Sequence, residues 1–474
     1  MVLIKRSLVT IDDLSYNEME ALFSLADRMS ADREKHYGLC QGKVMASLFF
    51  EPSTRTRLSF ESAMNRLGGR VISVTDPQAT SLAKGESLAD MARIVGSYAD
   101  IIVIRHPWEG AARVMADYSG VPVINGGDGG HQHPTQTLCD LYTLKKERGS
   151  IRGLKIALWG DLKYGRTIHS LIFALAKFGA EILFCPTNGL EVPEHVIKKL
   201  IREYGGEVRK LPSNNESGEG QQRGRNVKAL PIDAIYATPS SPHQLAMMPG
   251  IDVEVELSSG IDALYVTRPQ KERFTDAEKE RAIGKELPVV NKQLMKEKAF
   301  RKSMVMHPLP RVDELAYDMD ADPRSRYFKQ AEFGVPVRMA LISTLLGVVP
   351  VPVAEEVEPI KIELPLYHHD SEFKCTNPRC VTVQATELKY IKPLFRIVDT
   401  SPVTLRCVYC EHGHEPKYIA STEWHEGKLV NKKYHRAASH WAKRIKSENL
   451  IVFDSAAEAE AHGYRPSRFA ADGH

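Results

Sequence analysis

Up to about residue 350 the chain alternates short apolar runs with longer segments whose apolar residues recur every three or four positions. The runs 44–50 (VMASLFF), 100–105 (DIIVIR), 155–160 (KIALWG), 262–268 (DALYVTR) and 303–308 (SMVMHP) predict buried strands, since each has a brief apolar core followed by punctuation. The segments between them predict helices. One is TRLSFESAMNRL, which places Leu58, Met64 and Leu67 on a shared side and stops at Gly68-Gly69. This alternation predicts parallel sheets wrapped by helices, here in two units with a break near 148–153. The pattern then changes. Residues 205–228 are rich in Gly, Ser, Asn and Gln and over most of their length predict a mobile surface insertion, and the Pro- and Glu-rich stretch 349–365 predicts an extended linker. The last segment, 416–474, has a basic, His-rich middle, a strand-like LIVF and a helix-like DSAAEAEAHGY with Asp454 or Ser455 as N-cap.

A length of 474 residues suggests about three domains. Hydrophobic residues at 43% and charged residues at 26% exclude a largely disordered chain. A net charge of +3 gives no reason to expect a nucleic-acid or membrane partner. The most apolar stretch, 339–354, is broken by Ser343, Thr344, Gly347, Pro350 and Pro352, too soon to span a bilayer. Asp12 and Asp13 arrive before a signal-peptide core could form, so a cytoplasmic location is expected. Of seven cysteines, Cys40, Cys139 and Cys185 are scattered and read as small buried hydrophobes. Cys375 and Cys380, and then Cys407 and Cys410, supply four thiolates from two turns, a set that suits tetrahedral Zn2+ at a closed structural site.

The polar residues that stand out fall one step past the predicted strands. Ser53-Thr54-Arg55-Thr56-Arg57 follows the first and opens a helix; Arg105-His106 ends the next; Asp161 to Arg166 follows KIALWG; Arg268 and Gln270 follow LYV; His307-Pro308-Leu309-Pro310-Arg311 follows MVM. In open α/β sheets ligands bind outside the carboxyl ends of strands. A basic crevice that binds small anions is therefore expected, with the start of the first helix cradling a phosphate through backbone N–H groups, hydroxyls and a guanidinium. His133 and Gln136 lie one helical turn apart and can face one ligand.

The motifs FFEPSTRTRLSFESAMNRLGG, SLAKGESLAD, RHPWEGAAR, HPTQTLCDLYTL, GDLKYGRTIHSL, YVTRPQKER and HPLPRVDE resemble the catalytic chain of the aspartate carbamoyltransferase family, in the family's order across residues 1–348. Ser-Thr-Arg-Thr-Arg and His-Pro-x-Gln are shared by all carbamoyltransferases. The last motif is more specific: an ornithine enzyme typically has cysteine where this chain has Pro308. The resemblance implies the carbamoyltransferase fold, two doubly wound parallel-sheet α/β domains, followed here by a small zinc-binding β domain. It also implies transfer of the carbamoyl group of carbamoyl phosphate to the α-amine of L-aspartate, in pyrimidine biosynthesis, without a catalytic cofactor. Ser53, Thr54, Arg55, Thr56 and Arg105 would hold the phosphate. Ser81 and Lys84 would reach into a neighbouring subunit's site, so a homotrimer, or a pair of trimers, is implied. Thr56, Arg105 and His133 would polarise the carbonyl oxygen. Gln136 and the carbonyls of Pro308 and Leu309 would hold the amide, with Leu309–Pro310 cis. Two carboxylates call for two guanidinium forks. Arg166 would take the α-carboxylate and Arg268 the side-chain carboxylate, with Gln270, Lys84, Leu309 and Pro310 around them. Glu51 and Arg273 resemble the ion-pair partners of domain closure.

KCTNPRCVT and LRCVYCE resemble the zinc domain of the same family's regulatory chain, elsewhere a separate polypeptide and here fused. The expected organisation is a carbamoyl-phosphate domain over 1–150 completed by a helix at 334–348, an aspartate domain over 151–333, a linker over 349–369, the zinc domain over 370–415, and an extension over 416–474. The end of that extension resembles a small zinc module of some DNA-repair proteins. Ser467 and Arg468 stand where its cysteines would begin, so a packing or docking appendage is expected. An effector domain needs on the order of a hundred residues. Only the short linker separates the last catalytic helix from Cys375. Aspartate saturation curves are therefore expected to be the same with and without CTP or ATP; a large shift of the midpoint would contradict this.

Overall fold

The computed structural model describes residues 6–32, 34–74, 84–186, 189–205, 209–210, 232–238, 260–268, 289–349, 364–367, 373–400, 402–422, 424–425, 428–429 and 432–468. They form two compact units, the first gathering 1–77, 94–106 and 119–358, the second 78–93, 107–118 and 359–474.

The first unit contains two parallel sheets. Strands β1 (Val44–Phe49), β2 (Arg70–Val74), β3 (Ile101–His106) and β4 (Val123–Asp128) lie in the order β2-β1-β3-β4. Strands β5 (Lys155–Gly160), β6 (Glu181–Pro186), β7 (Arg209–Lys210), β8 (Ala234–Thr238), β9 (Ala263–Val266) and β10 (Met304–Met306) lie in the order β10-β9-β8-β5-β6-β7. Their pairing is parallel throughout. The central strands are buried along nearly their whole length, as continuous apolar runs require when helices cover both faces, whereas edge strand β2 exposes Arg70, Ile72 and Ser73.

Helix α1 (Tyr16–Ala31) opens with a capping box: Ser15 Oγ accepts from Glu18 N, and Ser15 N donates to the Glu18 carboxylate. The other helices of this unit are α2 (Thr54–Arg66), the end of α3 (Leu88–Tyr98), α5 (Pro134–Arg148), α6 (Arg166–Lys177), α7 (Glu194–Tyr204) and α8 (Tyr327–Leu345). Helix α8 packs on α1, α2 and α5 and is buried on almost every side, which accounts for its apolar sequence. No helix among the described residues is long and apolar enough to cross a membrane.

One feature differs from the sequence reading. Leu58 does not share the inward face of α2; that face is Thr56, Phe60, Ala63 and Met64, while Leu58 is 50% exposed. At 100° per residue Leu58 lies about 240° round the helix from Met64. Within 205–228, Arg209–Lys210 adds an edge strand to β6; residues 206–208 and 211–228 lie outside the described residues. Strand β4 ends Asn125-Gly126-Gly127-Asp128. Asn125 is fully buried, because its amide donates to Val9 O (2.9 Å) and Asp128 Oδ1 (2.8 Å) and accepts from Gly127 N (2.8 Å).

The second unit carries an antiparallel sheet of β11 (Leu366–Tyr367), β12 (Phe395–Thr400), β13 (Val403–Cys407) and β14 (Gly413–His414). A second sheet has the order β19-β15-β18-β20, from β15 (Tyr418–Ser421), β18 (Lys433–Arg436), β19 (Leu450–Phe453) and β20 (Arg465–Pro466); β16 (Trp424–His425) pairs with β17 (Lys428–Leu429). Helix α9 (Ala456–Ala461) takes Ser455 as its N-cap, its Oγ accepting from Glu458 N. Both sheets share one core with α4 (Ala111–Tyr118) and the start of α3: Leu88, Ala111 and Val114 pack with Phe373, Val381, Leu405 and Val452. The polar contacts follow the same seam. Glu109 N donates to Arg379 O (2.8 Å), Val381 N to Glu109 O (2.9 Å), and Asn377 to the Glu109 carboxylate (2.6 Å). The buried Glu387 carboxylate accepts from Leu88 N at 3.0 and 3.2 Å, satisfying a donor at the start of α3.

Two histidines at strand ends are held neutral. Burial pushes His106 down to about 3, against the pull of Asp128 and Glu51. His307 Nδ1 accepts from Leu309 N (2.8 Å), so the ring proton must sit on Nε2, which donates to Glu314 (2.8 Å); burial lowers this pKa too. A histidine with a depressed folded pKa contributes stability that is present above its ordinary value of 6.5 and lost as the pH falls below it. Unfolding free energy is expected to fall by about 1.4 kcal/mol per pH unit for each such histidine below that value. Denaturant titrations between neutral and acid pH check this. His106→Gln should give a shallower slope, and an unchanged slope would contradict the assignment.

Candidate functional site

Among the described residues, those predicted for the crevice lie at the carboxyl ends of the strands. Beyond β1 the chain turns through Glu51 into α2, with Ser53 as N-cap. Its side chain makes no capping hydrogen bond, so the first-turn amides point out of the helix N-terminus beside Thr54 and Arg55, which are exposed, and Thr56, which is buried. Near the end of β3, Arg105 is only 8% exposed. Its Nη1 donates to Gly126 O (3.3 Å) and lies 3.5 Å from His133 Nε2, and its Nε is 3.4 Å from the Glu51 carboxylate. His133 is the N-cap residue of α5, and its backbone N donates to Ser170 Oγ on α6 (3.0 Å). Gln136 sits in the first turn of α5 and donates through Nε2 to Asp140 (2.7 Å).

The second sheet contributes three turns. After Gly160 the buried Asp161 carboxylate accepts from the N–H groups of Lys163 (3.1 Å) and Tyr164 (3.0 Å), forming the turn that leads to Arg166 at the start of α6. Gly160 has φ +96°, and a Cβ there would lie 1.8 Å from Thr238 O, so only glycine fits. Beyond β9 comes Arg268, half-buried. Beyond β10 the loop 307–311 is pinned from within by the His307 bonds and by Glu314, which also accepts from the N–H groups of Val312 and Asp313. Leu309 has φ 54° and the Leu309–Pro310 bond is cis, as the resemblance implies. The loop stays rigid while Pro308 and Leu309 remain partly exposed. The Arg55 charge contributes to holding His307 neutral, which brings the start of α2 within electrostatic reach of this loop.

The first unit therefore brings together Glu51, Arg55, Arg105, His133, Gln136 and the 307–311 loop. Lys84 belongs to the second unit and is exposed. Ser81, Gln270 and Arg273 lie outside the described residues, as does the side chain of Arg166. The sequence reading missed Asp140, Glu314, Gln330 and Ser170. Asp140 had a signal, an acid four residues after an amide within the apolar run LCDLYTL; Gln330 and Ser170 had none. This arrangement of buried cationic and amide donors beside a rigid acceptor loop can bind an anion and an amide side by side.

In the second unit the sulfurs of Cys375, Cys380, Cys407 and Cys410 lie within 4.8 Å of one another, all buried and none in a disulfide. Cys375 and Cys410 are 3.6 Å apart, Cys380 and Cys407 3.8 Å. A tetrahedral metal with bonds to sulfur of about 2.3 Å requires edges of about 3.8 Å. The four thiols thus fit a closed metal site.

The family model for the aspartate/ornithine carbamoyltransferase carbamoyl-P binding domain matches residues 6–146, and that for the Asp/Orn binding domain matches 246–345. The metal binding domain of the aspartate carbamoyltransferase regulatory chain matches 370–420. The aspartate carbamoyltransferase catalytic subunit of Thermoplasma acidophilum is 44% identical over 72% of this chain and 98% of its own length. That of Methanopyrus kandleri is 45% identical over 72% and 97%. Among solved structures, the catalytic subunit of M. jannaschii aspartate transcarbamoylase superposes with a TM-score of 0.55 at 41% identity, covering 73% of this chain and 98% of that one. The Trypanosoma cruzi enzyme in complex with carbamoyl phosphate and aspartate gives 0.58 at 34%, covering 73% and 98%. From about residue 6 to 345 the chain belongs to the aspartate carbamoyltransferase family, and it carries the metal-binding domain of that family's regulatory chain in the same polypeptide.

Proposed function

We propose that the crevice transfers the carbamoyl group of carbamoyl phosphate to the α-amine of L-aspartate, giving N-carbamoyl-L-aspartate and phosphate. The observation that carries this reading is the convergence of Arg105, His133 and Gln136 with the pinned 307–311 loop. Ser53, Thr54, Arg55, Thr56 and Arg105 bind the phosphate at the N-terminus of α2. Thr56, Arg105 and His133 stabilise the negative charge that grows on the carbonyl oxygen. The carbonyls of Pro308 and Leu309 and the Gln136 amide hold the carbamoyl NH2. Arg166 and Arg268, assisted by Gln270, Leu309, Pro310 and Lys84 of the partner subunit, hold the two aspartate carboxylates. The neutral amine attacks the carbonyl carbon, the C–O bond to phosphate breaks, and the departing phosphate takes the amine's proton. Positioning and fixed charge supply the rate gain. Glu51 now pairs with Arg105; an incoming phosphate competes for that guanidinium and releases Glu51 toward Arg273.

The active species is a trimer, with Ser81 and Lys84 completing a neighbour's site. Exposed Leu58 on α2, Ile72 on edge strand β2, and Ile94 and Tyr98 on α3 support this, since their apolar side chains would otherwise face water. The metal held by Cys375, Cys380, Cys407 and Cys410 is Zn2+, for which a set of four thiolates is a structural ligand set.

Carbamoyl aspartate formation by the purified chain tests the activity. Arg55→Ala should lose most turnover while its thermal unfolding stays near that of the wild type, because Arg55 is exposed. Unchanged turnover would remove the phosphate cradle. Elemental analysis should find one zinc per chain. Chelation should raise hydrogen exchange at Leu88–Ala89 and Val381, whose packing the four-sulfur core organises. Unaltered exchange after metal loss would contradict a structural role.

A further inference from the structure

We infer that Asp140 is a positioning residue that sets both halves of the carbamoyl-amide surface, the Gln136 side chain and the Pro308–Leu309 carbonyls, from one buried carboxylate. The inference rests on the proposed assignment of those groups to the carbamoyl NH2.

Asp140 is 1% exposed on α5, one turn beyond Gln136. Its Oδ1 accepts from Gln136 Nε2 (2.7 Å) and from Gln330 Nε2 on α8 (2.8 Å), and its Oδ2 accepts from Tyr265 OH on β9 (2.9 Å). Three donors from three elements thus end on one acceptor. A carboxylate only accepts, so it fixes which way each amide faces. With Nε2 turned to Asp140, the Gln330 Oε1 points outward and accepts from His307 N (2.9 Å), the first residue of the pinned loop. By the same constraint Gln136 presents Oε1 away from Asp140. A carbamoyl NH2 carries two hydrogens and needs acceptors. Asp140 turns Gln136 into one and, through Gln330 and His307, anchors the loop that carries the others.

The carboxylate is also poised. Burial raises its pKa to about 7, against the three donors and the Arg338 charge on α8. The other titratable groups facing it are Tyr236 on β8, Tyr265 on β9 and Cys139 on α5. A hydrogen on Oδ2 is met by the Tyr265 hydroxyl, which can turn and accept, so both amides keep their bonds to Oδ1.

The test is steady-state kinetics of the full chain, each substrate varied with the other saturating. Gln136→Ala examines the underlying assignment and should raise the KM for carbamoyl phosphate. Asp140→Leu, close to it in size and without an acceptor, should raise that KM by about tenfold or more while changing the KM for aspartate by less than about twofold. Asp140→Asn keeps an Oδ1 for the two amides and can donate through its NH2 to the Tyr265 oxygen, so it should hold both KM values within about twofold of wild type. Tyr265→Phe leaves both amide bonds in place and should also stay within about twofold of wild type. A raised KM in Gln136→Ala with wild-type values in Asp140→Leu and in Gln330→Met overturns the inference. A wild-type KM in Gln136→Ala overturns the assignment and the inference with it. If Asp140→Leu does not fold, Gln330→Met decides: it keeps the Gln136 bond, frees the His307 N–H, and must still raise the KM for carbamoyl phosphate.

Discussion

A parallel sheet places the carboxyl ends of all its strands along one edge, and the rest of the first unit depends on that constraint. Residues as far apart in sequence as Glu51, Arg105, His133 and His307 meet because each lies at, or just beyond, the carboxyl end of a strand in one of the two parallel sheets. The geometry supplies proximity but not direction. Direction comes from secondary bonds behind each group: Ser170 on the His133 backbone, Glu314 on the His307 ring, and Asp140 on Gln136. Groups that point at a ligand are held by groups that do not.

Those backing residues mark where sequence reasoning stopped. The order of strands, the zinc cysteines and the basic strand ends were legible, because apolar runs, cysteine spacing and polar punctuation are local signals. Strand 155–160 could be read to the residue. The strand Val123–Asp128 is not among the predicted runs: its Asn125 is held by Val9 and Asp128 contacts that exist only after folding. Gln330 looks like any polar residue at the start of a helix, yet its amide joins α5 to the 307–311 loop. Leu58 shows the opposite error: a hydrophobic residue in a helix was assigned inward by type, when its angular position faces it outward.

The buried ionisable groups are unevenly arranged. His106 packs against Phe50, whose ring is 5.4 Å away, with the charges of Asp128 and Glu51 opposing the effect of its burial. Asp140 and Glu314 are each surrounded by donors. A carboxylate buried with its lone pairs occupied adds less to stability than to uniqueness, since a slip of any one partner strands a charge in the core. Such networks suit a site where an amide or a loop must have only one orientation.

In the second unit the Glu109–Cys380 bridge and the Glu387–Leu88 bond join two short segments of the catalytic portion to the four-cysteine module. Because both sides of that seam are encoded in one chain, their meeting is an event within a molecule rather than between molecules. Dilution does not weaken it as it would an assembly of separate subunits, and neither component can be synthesised in excess of the other.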